Sequence, residues 1–201
     1  MLGNPNYPTY QVFLAIGISA VITAALMPLF IRLMRHEGLG QQIRADGPQR
    51  HLVKQGTPTM GGLVMLAGVL VTCLLQVTWT AKLVLAVLAM LATGSLGLLD
   101  DIESVAHRRS LGLTPSQKMV GLILISVSFC LVATNACGIE PVISFPGGFT
   151  LDLGVLSSTF NIDGIVVQVP WLYVAFVFLL MAGLSNAVNL TDGLDGLSSG
   201  C

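Results

Sequence analysis

The sequence predicts an all-α integral membrane protein, a polytopic bundle with five transmembrane helices. Of its 201 residues, 54% are hydrophobic and 9% are charged, and the mean hydropathy is +0.83. Because a soluble domain carries about 25% charged residues, this composition excludes an ordinary soluble fold. Several apolar runs approach the roughly 20 residues that a helix needs to cross a bilayer. We treat 1–201 as a single transmembrane domain, with spans at about 10–33, 60–77, 81–99, 119–134 and 171–189.

The first two spans are separated by a polar segment. Span 10–33 follows a polar lead and contains Pro28, which predicts a kink near its far end. Residues 36–56 are polar and carry Gly and Pro, so they predict a loop. The second span, 60–77, is followed by Trp79, which stands where an interfacial aromatic residue belongs.

The remaining spans are separated by one charged and one uncharged loop. The third span, 81–99, is predicted to stop at Asp100 and Asp101, and a charged segment leads into the fourth span, 119–134. The loop 135–169 is rich in Gly, Pro, Ser and β-branched residues, and its apolar or alternating stretches predict short strands or a β-hairpin. The fifth span is 171–189.

The basic residues predict the orientation of the chain in the membrane. Of nine Lys and Arg residues, five lie at the end of the first span or after it, three follow the third span, and one lies on the opposite side. By the positive-inside rule, the first two groups are cytoplasmic, whereas the N-terminus and loop 135–169 are outside. The nine residues are Arg32, Arg35, Arg44, Arg50, Lys54, Arg108, Arg109, Lys118 and, on the other side, Lys82.

Two classes of partner are not indicated. The formal net charge is −1 and there is no basic cluster, so we expect no nucleic-acid partner. The four cysteines, Cys73, Cys130, Cys137 and Cys201, show no Cys-x-x-Cys pairing, which argues against a zinc site or a disulfide framework.

The most polar feature beside an apolar run is the stretch 185–197, which contains Asn189, Asp192 and Asp195. The two aspartates are three residues apart and would share one face of a helix. Glycines flank Asp192 and follow Asp195, so backbone and a ligand can approach closely. Hard oxygen donors beside flexible glycine suit a site for a Mg²⁺–phosphate complex. A polar loop that caps the helix remains the alternative reading.

Asp100 and Asp101 lie on the same predicted membrane side as that stretch. Adjacent like charges favour a cation or a proton nearby, so one carboxylate could hold Mg²⁺ while the other takes up a proton or orients a nucleophile. The alternative is that the pair only ends the third span. On the same side, Lys54 and the hydroxyl of Thr59 are suited to a phosphate, although residues 57–62 taken alone are more typical of an ordinary helix N-terminal cap. Lys118 could hold a diphosphate or anchor the fourth span to anionic lipid. Together these groups indicate phosphoryl transfer that involves a lipid phosphate.

The motifs resemble those of the phospho-N-acetylmuramoyl-pentapeptide transferase (MraY) family, within the polyprenyl-phosphate sugar-1-phosphate transferases. The resemblance rests on residues 54–62, with Thr-Pro-Thr-Met-Gly-Gly at 57–62, on the Asp pair at 100–101, and on residues 186–197, with Asn-Leu-Thr-Asp-Gly-Leu-Asp-Gly at 189–196. Segments 44–48 and 112–118 agree with it as well. The motifs are long and occur in the order of the family.

The resemblance implies that UDP-MurNAc-pentapeptide and undecaprenyl phosphate react, with Mg²⁺, to give lipid I and UMP at the cytoplasmic face of the bacterial inner membrane. It implies catalytic roles for Asp100, which deprotonates or orients the lipid phosphate, and for Asp101, in the metal or diphosphate region. Metal binding falls to Asp101 and Asp192. The implied substrate-binding residues are Lys54, Thr59, Lys118, Asn189, Asp192 and Asp195. A homodimer in the lipid bilayer is left open.

The chain departs from the family in its extent, because the sequence stops at Cys201, soon after the fifth span. The family continues through further spans, so the resemblance places its main metal-binding Asp and a His-rich loop beyond Cys201. We expect that 1–201 is an N-terminal half with little or no activity alone.

Three alternatives to this function stay open. The nearest is a sibling transferase that moves GlcNAc-1-phosphate to the same lipid. A transporter would place its carboxylates near the bilayer midplane instead of at span ends. A non-catalytic membrane scaffold is a further alternative.

Overall fold

The computed structural model describes residues 8–36, 60–76, 78–107, 112–162 and 164–191. A helix covers each of the five predicted spans, which confirms the helical fold class. The helices are α1 (Pro8–His36), α2 (Gly61–Gln76), α3 (Ala81–Ala106), α4 (Pro115–Asn135) and α5 (Trp171–Thr191). They belong to two compact units, one formed by 1–80 and 90–114 and the other by 81–89 and 115–201.

Four of these helices are long and apolar enough to cross a membrane, which agrees with a multi-pass membrane protein. The remaining helix, α2, has 16 residues. At about 1.5 Å per residue it measures about 24 Å, whereas the hydrocarbon core is about 30 Å thick. The helix found at the predicted span 60–77 is therefore about four residues too short to match the thickness of the hydrocarbon core.

Helix α3 is longer than the sequence predicts. The predicted membrane span 81–99 ends at Asp100 and Asp101, whereas the helix continues to Ala106. The end of the span itself stays a prediction. No Gly or Pro interrupts residues 98–107, and Glu103 pairs with His107 one turn later, at 3.1 Å between Oε1 and Nδ1. The apolar part of α3 can thus end at the membrane surface while the helix itself extends about two turns further.

In the first unit, α1 packs against α2 through small residues. Gly68 of α2 lies against Ser19 and Thr23 of α1, so closely that a Cβ at position 68 would overlap the Thr23 hydroxyl. Val64, Gly68 and Thr72 are buried at four-residue spacing, and the Thr72 hydroxyl donates a 2.8 Å hydrogen bond to the Gly68 carbonyl. Close approach of two backbones through small residues is typical of helix packing in membranes.

The loop that was predicted to hold strands or a hairpin contains two antiparallel hairpins. The first pairs β1 (Val142–Ser144) with β2 (Thr150–Asp152), and the second pairs β3 (Ser157–Ile162) with β4 (Ile165–Pro170). Each connecting turn contains glycine with positive φ, at Gly147, Gly148 and Gly164. The strand prediction is confirmed, and the two stretches on which it was based, 149–153 and 165–169, belong to different hairpins.

The second unit is held together by contacts between α4, α5 and the second hairpin. On α4 the buried residues are Leu122, Ser126, Cys130 and Ala133, which recur at three- and four-residue spacing and form one face. The Ser126 hydroxyl donates a hydrogen bond to Met181 Sδ of α5, at 3.3 Å. At the end of α4, the Asn135 side chain exchanges two hydrogen bonds with the backbone of Gln168 in β4, at 2.9 and 2.8 Å.

Candidate functional site

The Asp pair lies in the last third of α3, where both aspartates are half-buried. The Asp100 carboxylate accepts a 2.7 Å hydrogen bond from the backbone N–H of Leu113, a residue in the turn between α3 and α4. Gly112 lies directly against Asp100, since an added Cβ would overlap its carbonyl and carboxylate oxygens. Asp100 is thus held by the chain that follows it, and this contact lies within the first unit.

Glu103 lies on the same helix as the Asp pair, but its environment differs from that of Asp100. Glu103 is exposed and its carboxylate contacts the His107 ring, which also lies 3.2 Å from the Glu103 carbonyl. An exposed pair four residues apart on a helix contributes only about 0.3–0.5 kcal/mol. We therefore treat Glu103 as part of the end of α3 and not as a site residue.

The Asp pair offers hard oxygen ligands of the kind that Mg²⁺ prefers. Consecutive residues on a helix are about 100° apart around the axis, so Asp100 and Asp101 point in different directions. Within the described residues, no group of three His, Cys, Asp or Glu side chains could hold a metal ion. The donor chemistry of the Asp pair fits Mg²⁺, which proteins usually hold through one or two carboxylates together with water and substrate phosphates.

A strained backbone position precedes α2. Met60 has a φ of 65°, in the left-handed region, and its carbonyl accepts the Leu63 N–H at 3.0 Å as the helix begins. This conformation costs a residue with a Cβ about 1–2 kcal/mol and is uncommon for a bulky side chain. Such strain often occurs at ligand-binding sites. Met60 belongs to the Thr-Pro-Thr-Met-Gly-Gly motif of 57–62.

Lys118 belongs to the second unit and is half-buried in the first turn of α4. The helix begins at Pro115, which suits the first helical position because its missing N–H has no partner there in any case. A cation is unfavourable near a helix N-terminus, where the helix dipole is positive. The helix dipole therefore does not explain a cation at this position, and the role of Lys118 in holding a diphosphate stays a prediction.

The stretch 185–197 is described as far as Thr191, the last residue of α5. The Asn186 side chain donates to the Ala182 carbonyl at 2.8 Å, one turn earlier. Asn189 lies three residues on, in the same helix.

The other predicted site residues, Lys54, Thr59, Asp192 and Asp195, lie outside the described residues, and their predicted roles remain predictions. Cys201 also lies outside them. The expectation that the main metal-binding Asp follows Cys201 concerns chain that this sequence does not contain, so it too stays a prediction.

Segment 112–118 is recognisable as a motif in the sequence, but its contact with Asp100 was not predicted. The available signal was a glycine between a charged segment and the Thr-Pro start of a helix, which indicates a turn but not what the turn touches. The left-handed Met60 was also missed. Gly61 and Gly62 predict an unusual backbone conformation at their own positions, whereas the left-handed residue is Met60, just before them.

Comparison with known families gives two matches. The family model described as "Glycosyl transferase family 4" matches residues 82–201, well over half of the chain. The "Phospho-N-acetylmuramoyl-pentapeptide-transferase signature 1" matches residues 54–66. Together these ranges contain every residue that the sequence predicts for the site, and also Met60, Gly112 and Leu113.

Curated relatives cover nearly the whole chain. Three carry the name phospho-N-acetylmuramoyl-pentapeptide-transferase and are 38–39% identical to the chain. They come from Oceanobacillus iheyensis (93% of this chain, 54% of the relative), Thermobifida fusca (92% and 52%) and Geobacillus kaustophilus (96% and 56%). The chain thus spans about half the length of the curated relatives it matches.

Proposed function

The chain belongs to glycosyl transferase family 4, and on that premise we propose that the full-length protein is a phospho-N-acetylmuramoyl-pentapeptide transferase. It transfers phospho-MurNAc-pentapeptide from UDP-MurNAc-pentapeptide to undecaprenyl phosphate, and the products are lipid I and UMP. The observation that carries this proposal is the signature match at 54–66, together with relatives of that name along almost the whole chain.

In the proposed reaction, an oxygen of the lipid phosphate attacks the β-phosphorus of the UDP-sugar. The bond from that phosphorus to the bridging oxygen breaks, and UMP leaves with the electron pair. Such a transfer depends mainly on alignment of the reactants and neutralisation of their charge. Every reactant is anionic, so basic side chains are needed to hold them; Lys54 and Lys118 are proposed for this task, with Thr59 and Asn189 beside them.

Asp100 is the proposed residue that orients the lipid phosphate or accepts its proton. Its carboxylate is fixed by the Leu113 N–H, and its position near the end of the apolar part of α3 suits a reactant that is anchored in the bilayer. Asp192 and Asp195 are proposed to bind the nucleotide sugar, and Asp101 and Asp192 are proposed for the metal region. When Mg²⁺ is bound there, it neutralises phosphate charge.

An assay with two sugar donors tests which UDP-sugar is the substrate. Membranes that contain the full-length protein are incubated with undecaprenyl phosphate and either labelled UDP-MurNAc-pentapeptide or labelled UDP-GlcNAc, with and without Mg²⁺. We expect label to enter the lipid only from the muramoyl donor, with release of UMP, and only with Mg²⁺. Transfer from UDP-GlcNAc alone would instead identify the sibling transferase. Transfer that continues after chelation would contradict the role of the metal.

The proposed location is the bacterial cytoplasmic membrane, with the N-terminus outside and the site on the cytoplasmic side. The basic residues support this orientation. It requires that α2 cross the bilayer, and a helix this short can do so if the bilayer thins locally or its flanking residues reach the interface. A homodimer within the bilayer is the assembly that we propose to test by crosslinking.

Labelling with an impermeant maleimide tests the orientation. In a variant without the native cysteines, Glu103→Cys and Asp192→Cys are expected to react in inside-out vesicles and not in intact spheroplasts. Val155→Cys, in the loop between the hairpins and 81% exposed, is expected to react in spheroplasts. Reaction of Glu103→Cys and Asp192→Cys from opposite sides would contradict a shared site.

A further inference from the structure

The turn between α3 and α4 contacts Asp100 in two independent ways. The Leu113 N–H donates to Asp100 Oδ1 at 2.7 Å, across a separation of 13 residues. A hydrogen bond from a backbone amide to a carboxylate is charge-assisted, and such bonds are roughly twice as strong as those between neutral groups. The second contact is the close approach of Gly112 to the Asp100 backbone and side chain.

Glycine at 112 is required by space and not by backbone conformation. The glycines of the hairpin turns have φ between +83° and +100°, whereas Gly112 is not among the residues with positive φ. What excludes a side chain is Asp100: an added Cβ would overlap both its carbonyl oxygen and Oδ1. The obstacle includes helix backbone, which cannot move aside as the end of a flexible side chain can.

We propose that Gly112 and the Leu113 N–H position the Asp100 carboxylate for the transfer. An aspartate on the surface of a helix can rotate about two side-chain bonds, and the bond with Leu113 selects one orientation. A carboxylate has about four acceptor positions, and the bond with Leu113 occupies one of them. Gly112 and Leu113 are positioning residues, and their role rests on the proposed function of Asp100.

The main test is Gly112→Ala in the full-length protein. The added methyl group displaces the turn from Asp100, which removes the hydrogen bond and releases the carboxylate. Because misplacement of a reacting group by about 1 Å can cost 10²-fold in rate, we expect kcat to fall by at least about tenfold. The KM for both substrates is expected to remain within about twofold, since neither positioning residue is proposed to bind them.

Two other glycines of α3 supply matched controls. Gly97 lies one turn before Asp100 with no atom within 4 Å of an added Cβ, so Gly97→Ala is expected to retain the wild-type kcat. At Gly94 an added Cβ would overlap the Leu66 side chain. Because the end of the Leu66 side chain can move aside, Gly94→Ala adds a methyl group to α3 without touching Asp100, and we expect it to retain the wild-type kcat.

A second variant removes only the donor. Incorporation of the α-hydroxy acid of leucine at position 113, by cell-free translation of the full-length gene, replaces the N–H by an oxygen and adds no bulk. It is expected to reproduce the loss of kcat. This variant decides the question if Gly112→Ala does not fold.

The outcomes separate this inference from the proposed function. A lack of transfer by the folded wild-type protein with both UDP-sugars would count against the proposed function. If the wild type is active and both position-112 and position-113 variants keep its kcat, the positioning role is wrong. A change confined to KM would also overturn it, because it would indicate substrate binding instead of orientation of Asp100.

Discussion

Asp100→Asn in the full-length protein is expected to abolish lipid I formation, with a fall in kcat of at least about 10²-fold, the lower range for loss of a positioned acid–base group. The amide retains an oxygen that can accept the Leu113 N–H, so the turn is expected to stay in place. What the variant loses is the negative charge and the capacity to take a proton. The measurement is the conversion of labelled UDP-MurNAc-pentapeptide to lipid product at saturating substrates.

Glu103→Gln is the matched control for this variant. It removes a carboxylate of the same helix, three residues further on, whose partner is His107 and not the turn. We expect the same membrane level, the same melting temperature within error, and the wild-type rate. Equal losses of activity in both variants would indicate a general effect of negative charge near this end of α3, and would contradict a specific role for Asp100.

The helices could be predicted because apolar length is a property of consecutive residues. All five runs are helical, and the predicted start of α3 and of α5 agrees with the structure. The far end of α3 was missed for a physical reason. Hydropathy reports where the chain leaves the apolar phase, whereas a helix continues as long as its hydrogen-bonding pattern does. In α3 that pattern extends past the Asp pair, because the helix reaches Ala106 and the His107 N–H still bonds to the Glu103 carbonyl.

The candidate site could be predicted only as a set of residue types. Asp100, Asp101 and Lys118 were proposed as site residues because charge beside an apolar run is conspicuous in a sequence. The contact of Asp100 with Gly112 and Leu113 joins residues 13 positions apart through a backbone N–H, and a backbone group leaves no trace in the sequence. The left-handed Met60 was missed for a related reason, since propensity disfavours that conformation and only the surrounding structure can impose it.

The second large effect concerns the packing of α4 on α5. Ser126 is fully buried on the face of α4 that also carries Cys130 and Ala133, both fully buried. Helices in a bilayer gain little from excluding water, so close packing of small residues is a main source of their association. Ser126→Leu inserts a branched side chain into this contact. Overpacking of this kind costs about 1–3 kcal/mol, and sometimes more.

We therefore expect Ser126→Leu to lower the melting temperature of the detergent-solubilised full-length protein strongly, or to prevent its recovery in folded form. The lost hydrogen bond to Met181 is the smaller term, because bonds between helices in membranes average about 0.6 kcal/mol. Ser126→Ala, which removes the hydroxyl without adding bulk, separates the two terms and is expected to have a small effect.

Ser128→Leu is the control that separates the effect of a buried position from that of the substitution itself. It makes the same change two residues away on α4, at an exposed position that does not contribute to the buried face. An added leucine there meets lipid, which is as apolar as the side chain itself, so we expect wild-type stability. If Ser126→Leu and Ser128→Leu melt together, close contact along this face of α4 does not hold the second unit together. The hairpin contacts at Asn135 would then have to supply that stability.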